Sequence, residues 1–157
     1  DFCLSRGLGD VYKRQLKNIE LNSGTRIAHI TFRTDGRPIS EYFTTESAIQ
    51  RARLPDGTID ANRLNQGLQI YGGKDQNGVS RSDFKTNVQY FEVEQTIPQG
   101  QAAFGRTLAN PHLNPGGYPA LPQIFINSEY HSYLKPLEME RMSNTATPSY
   151  DPSLLED

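Results

Sequence analysis

The segment Phe104–Ile126 holds the residue types that best suit a ligand site in this chain. Its sequence, FGRTLANPHLNPGGYPALPQIFI, contains four prolines, which restrict the main chain, and the pair Gly116-Gly117, which can adopt conformations closed to other residues. The two glycines would also let another molecule approach the main chain closely. Stiff loops of this length are typical of binding and active-site loops, although an ordered loop that covers a sheet edge has the same composition.

The histidines offer acid–base chemistry but no metal site. His29, His112 and His131 are scattered along the chain without metal-ligand spacing, so we expect no catalytic metal. His112 and His131 lie in or just beyond the loop and could act as general base and acid at a phosphodiester, with Lys135 or Arg106 on the phosphate. A metal-independent RNase is therefore one hypothesis for this chain.

Two pairs of glutamates could also do chemistry, namely Glu92-Val-Glu94 and Glu138-Met-Glu140. On a strand, this spacing places both carboxylates on one face roughly 7 Å apart. ADP-ribosyltransferases use such an arrangement to hold ribose and activate an acceptor. Paired surface carboxylates are more often simply solvated. The chain has no P-loop, GxSxG, HExxH or Rossmann motif.

Composition excludes several classes of protein. The formal net charge is -2, so overall charge does not favour binding to nucleic acid. The hydrophobic content of 35% suits a loop-rich single domain, and no apolar run approaches the roughly 18 residues of a membrane span. We therefore expect no membrane span and no strong nucleic-acid signal.

The first fifteen residues are predicted not to be native. Asp10–Gln15, DVYKRQ, resembles the translated end of a sequencing adapter, and residues 1–9 resemble the sequence that often precedes it. Residues 1–15 are therefore not expected to be part of the folded domain. The alternative is that they form a natural basic arm. Cys3 is the only cysteine and lies in this segment, so disulfides and cysteine zinc sites are not organising features.

Alternating apolar residues predict several strands. Leu16–Thr34 is predicted to form two strands around a turn at Asn22–Thr25, and Asp35–Pro38 to close a hairpin with a strand near Tyr42-Phe43. Further strands are predicted over Asn87–Ile97, closed by Pro98-Gln-Gly100; over Gln123–Ile126; and, as a strand or turn, over Tyr130–Leu137.

Two short helices are predicted between these strands. Thr44-Thr45-Glu46-Ser47 has the hydroxyl cap and early acid of a helix start, and Pro55-Asp56-Gly57 would end that helix. Thr58 or Asp60 would cap the second helix, with Gly67 as a left-handed C-cap. The predicted fold is an α+β domain over residues 16–142, with a small, mainly antiparallel sheet, two short helices on one side and a long Pro/Gly-rich loop. Residues 143–157 are predicted to be a flexible tail.

Residues 81–125 resemble the C-terminal half of the tuberculosis-necrotizing-toxin-like NAD glycohydrolases, a family of polymorphic-toxin C-terminal domains. The resemblance lies in Tyr90-Phe-Glu-Val93, Ile97-Pro98, Phe104-Gly105, Pro115-Gly116-Gly117 and Gln123-Ile-Phe125. Five residues separate the glycines from Gln123, the family's third glycine is missing, and Ile70 stands where the family has an arginine before its F-G-G-like step.

The resemblance implies hydrolysis of the N-glycosidic bond of NAD, which would be a substrate and not a cofactor. Gln123 and Arg81 would be the catalytic residues, Gln123 on the ribose and Arg81 on the pyrophosphate. The substrate-binding residues would be Phe104, Gly116, Gly117, Tyr118 and Tyr71.

The resemblance also implies a setting. The domain would be the C-terminal part of a larger bacterial protein, secreted or delivered into a target cell and inhibited by an immunity protein. Besides the RNase, a non-enzymatic binding or assembly module, whose stiff loop docks a partner protein, remains an alternative.

Overall fold

The computed structural model describes residues 16–70, 73–74, 77–78, 80–81, 85–106, 114 and 116–142. The strands are β1 (Leu16–Leu21), β2 (Arg26–Thr31), β3 (Tyr42–Thr45), β4 (Gly73–Lys74), β5 (Ser80–Arg81), β6 (Asn87–Val93), β7 (Ile97–Arg106), β8 (Pro122–Ile126) and β9 (Leu134–Arg141). The helices are α1 (Glu46–Arg51), α2 (Ala61–Gly67) and one 3-10 helix (Ser128–Tyr133). The predicted segments 1–15 and 143–157 lie outside the described residues.

Seven strands form one antiparallel sheet in the order β1-β7-β8-β3-β2-β6-β9, and β4 pairs with β5 separately. All seven strands of the large sheet contribute to one apolar core around Phe91, Phe43 and Ile126, so the sheet curls around that core. Gly24 N donates to Val93 O at 2.7 Å, which ties the β1–β2 turn to the end of β6. The predicted α+β fold with a mainly antiparallel sheet is confirmed.

Both α-helices pack on the other face of the sheet. Ala28 and Ile30 of β2 and Val88 of β6 form a second core with Ile49 of α1 and Leu64 of α2. This arrangement follows from strand alternation, because successive side chains point to opposite faces and each face here is apolar. We call this face the helix face of the sheet.

The helix starts match the predictions, and one helix end does not. Thr45 caps α1 through a bond from Ala48 N, and Asp60 caps α2 by accepting from two main-chain N–H groups. Gly67 was predicted as a left-handed C-cap, but it lies inside the last turn of α2. The left-handed residue is Gln69, with a φ of 55°.

The strand β7 corrects the predicted boundaries of the loop. Pro98-Gln-Gly100 was predicted to end a strand, yet these residues lie inside the ten-residue β7. They are tolerated there because the pairing with β1 shifts register between Ile19 and Leu21, and Gly100 takes a φ of 90° at this irregularity. β7 therefore extends to Arg106, inside the segment predicted to be the Pro/Gly-rich loop.

His29 is a structural residue that joins β2 to the β2–β3 connection. Its Nδ1 donates to Tyr42 O at 2.8 Å, and its Nε2 accepts from Ile39 N at 3.0 Å, so the ring is neutral. The residue is 1% exposed and its ring lies 4.8 Å from that of Phe43. Burial, aided by the charge of Lys85, lowers the pKa of His29 to about 3.

We expect His29 to make the stability of the domain depend on pH. Because its pKa is lowered on folding, its contribution is complete above the unfolded value near 6.5 and is lost as the pH falls toward 3. Between pH 7 and pH 5 the free energy of unfolding should fall by about 2 kcal/mol more in the native protein than in His29→Gln. Urea denaturation at the two pH values measures this difference, and equal pH slopes for the two proteins would contradict the assignment.

Candidate functional site

Gln123 lies near the start of β8, on the helix face of the sheet. It pairs with Gly105 of β7 and is 2% exposed. Its neighbours on the same face of the strand are Leu121, in the core beneath the helices, and Phe125, in a small cluster with Leu16. Gln123 is therefore a polar side chain at the boundary between two apolar clusters.

The side-chain amide of Gln123 has no hydrogen bond within the described part of the chain, and its Oε1 is fully buried there. A buried polar group without a partner costs about 1–3 kcal/mol. By comparison, Nε2 of the buried Gln89 lies within hydrogen-bond distance of three carbonyls, Tyr90 O at 2.9 Å, Leu137 O at 3.0 Å and Glu138 O at 3.2 Å. Such an unused buried acceptor suits a ligand that brings its own hydrogen-bond donor.

The described part of the Pro/Gly-rich loop holds its own shape. Asn114 accepts from Tyr118 N at 2.9 Å through its side chain and donates to Tyr118 O at 2.7 Å. Gly117 N donates to Asn114 O at 3.1 Å, and Gly117 needs its glycine because its φ is 67°. These bonds form a closed turn that ends at Tyr118.

The last turn of α2 binds this loop at two points. Gln66 Oε1 accepts from Gly116 N at 2.7 Å, and Leu121 N donates to Gly67 O at 3.1 Å. A Cβ on Gly67 would lie 3.0 Å from both Leu121 and the carbonyl of Pro119, so the glycine permits this close approach. The N–H groups of both loop glycines are thus satisfied inside the protein and do not form an anion-binding nest.

Asn65, on the same turn of α2, holds the ends of a second excursion of the chain. Its Oδ1 accepts from Lys85 N at 3.2 Å, its Nδ2 donates to Ala61 O at 2.8 Å, and its main-chain O accepts from Ile70 N at 2.7 Å. The chain between Ile70 and Lys85 therefore leaves and returns beside one buried side chain, which is 0% exposed. This excursion carries two predicted site residues, Tyr71 and Arg81.

The structure brings only some of the predicted site residues together. Gln123, Gly116, Gly117 and Tyr118 lie along one continuous segment bound to α2. Phe104 pairs with Ile124, so it projects from the face opposite to Gln123 and does not share a pocket with it. Tyr71 and the side chain of Arg81 lie outside the described residues, although the main chain of Arg81 pairs with Gly73.

The two predicted glutamate pairs are not available as catalytic dyads. Glu140 accepts from Arg53 at 2.6 and 2.9 Å and from Tyr90 Oη at 2.9 Å, and Glu138 accepts from Arg26 at 3.0 Å. These groups line an open groove of about 320 Å³ beside α1. Hydrogen bonding from Arg53 lowers the pKa of Glu140, and burial together with Glu140 raises the pKa of Tyr90.

Glu92 and Glu94 do not form a strand pair either. Glu92 lies on β6, and Glu94 lies beyond the end of that strand.

His131 is also engaged by the fold. Its Nε2 lies 3.0 Å from Ile126 O and donates to it, and its ring packs edge-on against Phe43 at 5.5 Å. Burial lowers the pKa of His131. His112, its predicted partner, lies outside the described residues.

Within residues that the structure describes, no cluster of three or more His, Cys, Asp and Glu side chains could hold a metal ion. No helix among these residues is long and apolar enough to cross a membrane.

The triplet Asn65-Gln66-Gly67 was not predicted as functional. In the sequence, polar and small residues at the end of a short helix have the pattern of a solvated helix end, and the structure shows that all three are buried. Buried polar side chains are bonded to something, and here they bind the main chain of two loops.

Comparison with known proteins identifies the class. The chain belongs to the Rhs1 C-terminal toxin domain family, whose family model matches residues 10–128. The predicted polymorphic-toxin C-terminal domain is thereby confirmed at the level of the family. No curated protein sequence matches the chain.

Two solved structures are similar to this one. Rhs1-CT, solved in complex with its cognate immunity protein RhsI1, matches with a TM-score of 0.64 at 15% identity, over 91% of this chain and 96% of that chain. The two proteins therefore share a fold. Tse6, solved in complex with Tsi6, matches with a TM-score of 0.42 at 12% identity, over 78% of this chain and 72% of that chain.

We expect Glu138 and Glu140, which line the groove beside α1, to stabilise the fold unequally. Glu140→Ala removes a bidentate partner of Arg53 and the acceptor of Tyr90, and should lower the free energy of unfolding by about 1–2 kcal/mol. Glu138→Ala removes one exposed contact and should change it by about 0.5 kcal/mol or less. Urea denaturation of both variants measures this, and equal losses would show that the contacts of Glu140 do not stabilise the fold.

Proposed function

We propose that this domain is a bacterial toxin that hydrolyses the N-glycosidic bond of NAD. The observation that carries the proposal is the buried amide of Gln123, whose Oε1 has no partner in the described part of the chain. The resemblance of residues 81–125 to NAD glycohydrolases supports the same residue as the ribose contact. Its position next to a stiff loop held by α2 is a suitable wall for a small-molecule pocket.

The proposed reaction needs little acid–base machinery. Water attacks C1′ of the nicotinamide ribose, the N-glycosidic electron pair leaves with nicotinamide as a neutral molecule, and the water proton passes to solvent. ADP-ribose is the other product. Because the leaving group needs no proton, the protein must mainly hold the ribose and place dipoles where positive charge changes. An amide oxygen that accepts from a ribose hydroxyl does this without titrating.

The other residues take supporting roles in the proposal. Arg81 would bind the pyrophosphate through its guanidinium group. Tyr71 and Tyr118 would pack against the adenine or nicotinamide ring. Phe104 has no role in this pocket, because its side chain lies on the opposite face of the sheet. The engagement of His131 by Ile126 O disfavours the RNase hypothesis, in which that ring must exchange protons with substrate.

The proposal includes delivery and inhibition. As a member of a C-terminal toxin domain family, the domain would act as the last part of a larger protein that is secreted or delivered into a target cell. A cognate immunity protein would inhibit it, as the complex of Rhs1-CT with RhsI1 suggests.

We expect Gln123→Met to lose activity without losing stability. Methionine fills the same volume and removes the unpartnered acceptor, so the free energy of unfolding should be unchanged or higher by about 1 kcal/mol. The kcat/KM for nicotinamide release from NAD should fall about 100-fold or more, as for loss of a contact that stabilises the transition state.

Gln89→Met is the matched control, since it changes a similarly buried glutamine whose Nε2 donates to main-chain carbonyls. It should lower stability by about 1–3 kcal/mol and leave the activity of the folded fraction unchanged. Wild-type kcat/KM in Gln123→Met would overturn the role of Gln123. If the native domain cleaves tRNA and releases no nicotinamide, it is an RNase; if it does neither, it is a binding module.

A further inference from the structure

The contact between Gln66 and Gly116 connects α2 to the loop that precedes Gln123. Gln66 is 7% exposed and its Oε1 accepts from Gly116 N at 2.7 Å. We propose that Gln66 is a positioning residue of the site around Gln123, setting where Tyr118 stands relative to that amide. This inference rests on the proposed function, and it assigns a role to a residue outside the set expected from the sequence.

Two side chains pack closely around Gly116. A Cβ on this residue would lie 2.6 Å from Cε2 of Tyr118 and 3.0 Å from Oε1 of Gln66. The Tyr118 ring and the Gln66 amide therefore both touch the bare Cα of one glycine. A displacement of Gln66 can therefore reach Gly116 through its hydrogen bond, and Tyr118 through the packing of its ring on Gly116.

The loop is bound to α2 at two points that lie close to Gln123. Leu121 N donates to Gly67 O at 3.1 Å, so α2 holds the loop at Gly116 and again at Leu121. Gln123 lies two residues further along the same face of the strand, about 7 Å from Leu121 by the strand rise. The four residues between the two anchor points thus have little freedom, and they include Tyr118.

The turn at Asn114 does not depend on Gln66 for its formation. The bonds of Asn114 close the turn before Tyr118, and they do not involve Gln66. Gly116 is exposed, so its N–H can bind water if Gln66 is removed. Loss of the Gln66 acceptor should therefore leave the turn formed but no longer fixed on α2, which loosens the wall of the site more than it destabilises the domain.

The test compares Gln66→Met, which keeps the length and loses the acceptor, with Gln66→Glu, which keeps an acceptor oxygen in either protonation state. We expect Gln66→Met to raise the KM for NAD about tenfold with kcat within about threefold of native, because the loop binds ground state and transition state alike. Hydrogen exchange in Asn114–Leu121 should become about tenfold faster in this variant. Gln66→Glu should restore both properties to within about threefold.

Ile49→Val is the control for a general loss of stability, since Ile49 lies on α1 in the core beneath the helices and takes no part in the hydrogen bonds of Gln66 or Asn114. It should change neither KM nor exchange in Asn114–Leu121. Native KM and native exchange in Gln66→Met would overturn the inference, and so would equal effects of Ile49→Val. A native domain that releases no nicotinamide would sink the proposed function alone, and the exchange measurement would still decide whether Gln66 fixes the loop.

Discussion

The last turn of α2 is the constraint on which the arrangement of this domain depends. Asn65, Gln66 and Gly67 are buried, and each binds the main chain of a segment distant in sequence. A main-chain N–H or carbonyl must find a partner wherever it is buried, whatever the side chains of its segment are. These bonds therefore fix the chain at Ile70, Lys85, Gly116 and Leu121 on one short helix.

This constraint explains why a helix of seven residues matters in a sheet protein. Such a helix is too short to be stable alone and depends on its packing against Ala28, Ile30 and Val88 of the sheet. The curled sheet thus holds the helix, and the helix holds Gly116 and Leu121, which shortly precede Gln123 in the chain. The position of Gln123 therefore depends on the apolar core that holds α2 in place.

The sequence predicted the parts of the fold that follow from local chemistry. Alternating apolar residues located β2, β6 and β8, and the hydroxyl before Glu46 located the start of α1. The strand β7 was missed because Pro98 and Gly100 are turn residues in isolation, and only the irregular pairing with β1 tolerates them.

The candidate site was predictable only in part, for a related reason. Gln123 follows a segment with a distinctive composition, and the broad class of polymorphic-toxin C-terminal domains was predictable from the chain. The helix residues that hold the loop are not, because Asn-Gln-Gly at the end of a helix is indistinguishable from a solvated terminus until the loop lies on it. Gly67 illustrates this: a glycine there signals a left-handed cap, yet in the fold it provides space for Leu121.

The fold also limits acid–base chemistry, because hydrogen bonds within the protein engage side chains that could otherwise act as general acids or bases. Glu140 is held by Arg53 and Tyr90, and the two described histidines, His29 and His131, are held by main-chain carbonyls. Groups used in this way have their protonation set by the fold and cannot readily exchange protons with a substrate. Gln123 is the contrasting case, a buried group that cannot titrate and makes no hydrogen bond within the described residues. A site built on such a group suits a substrate whose leaving group departs without a proton, and the cationic N-glycoside of NAD has this property.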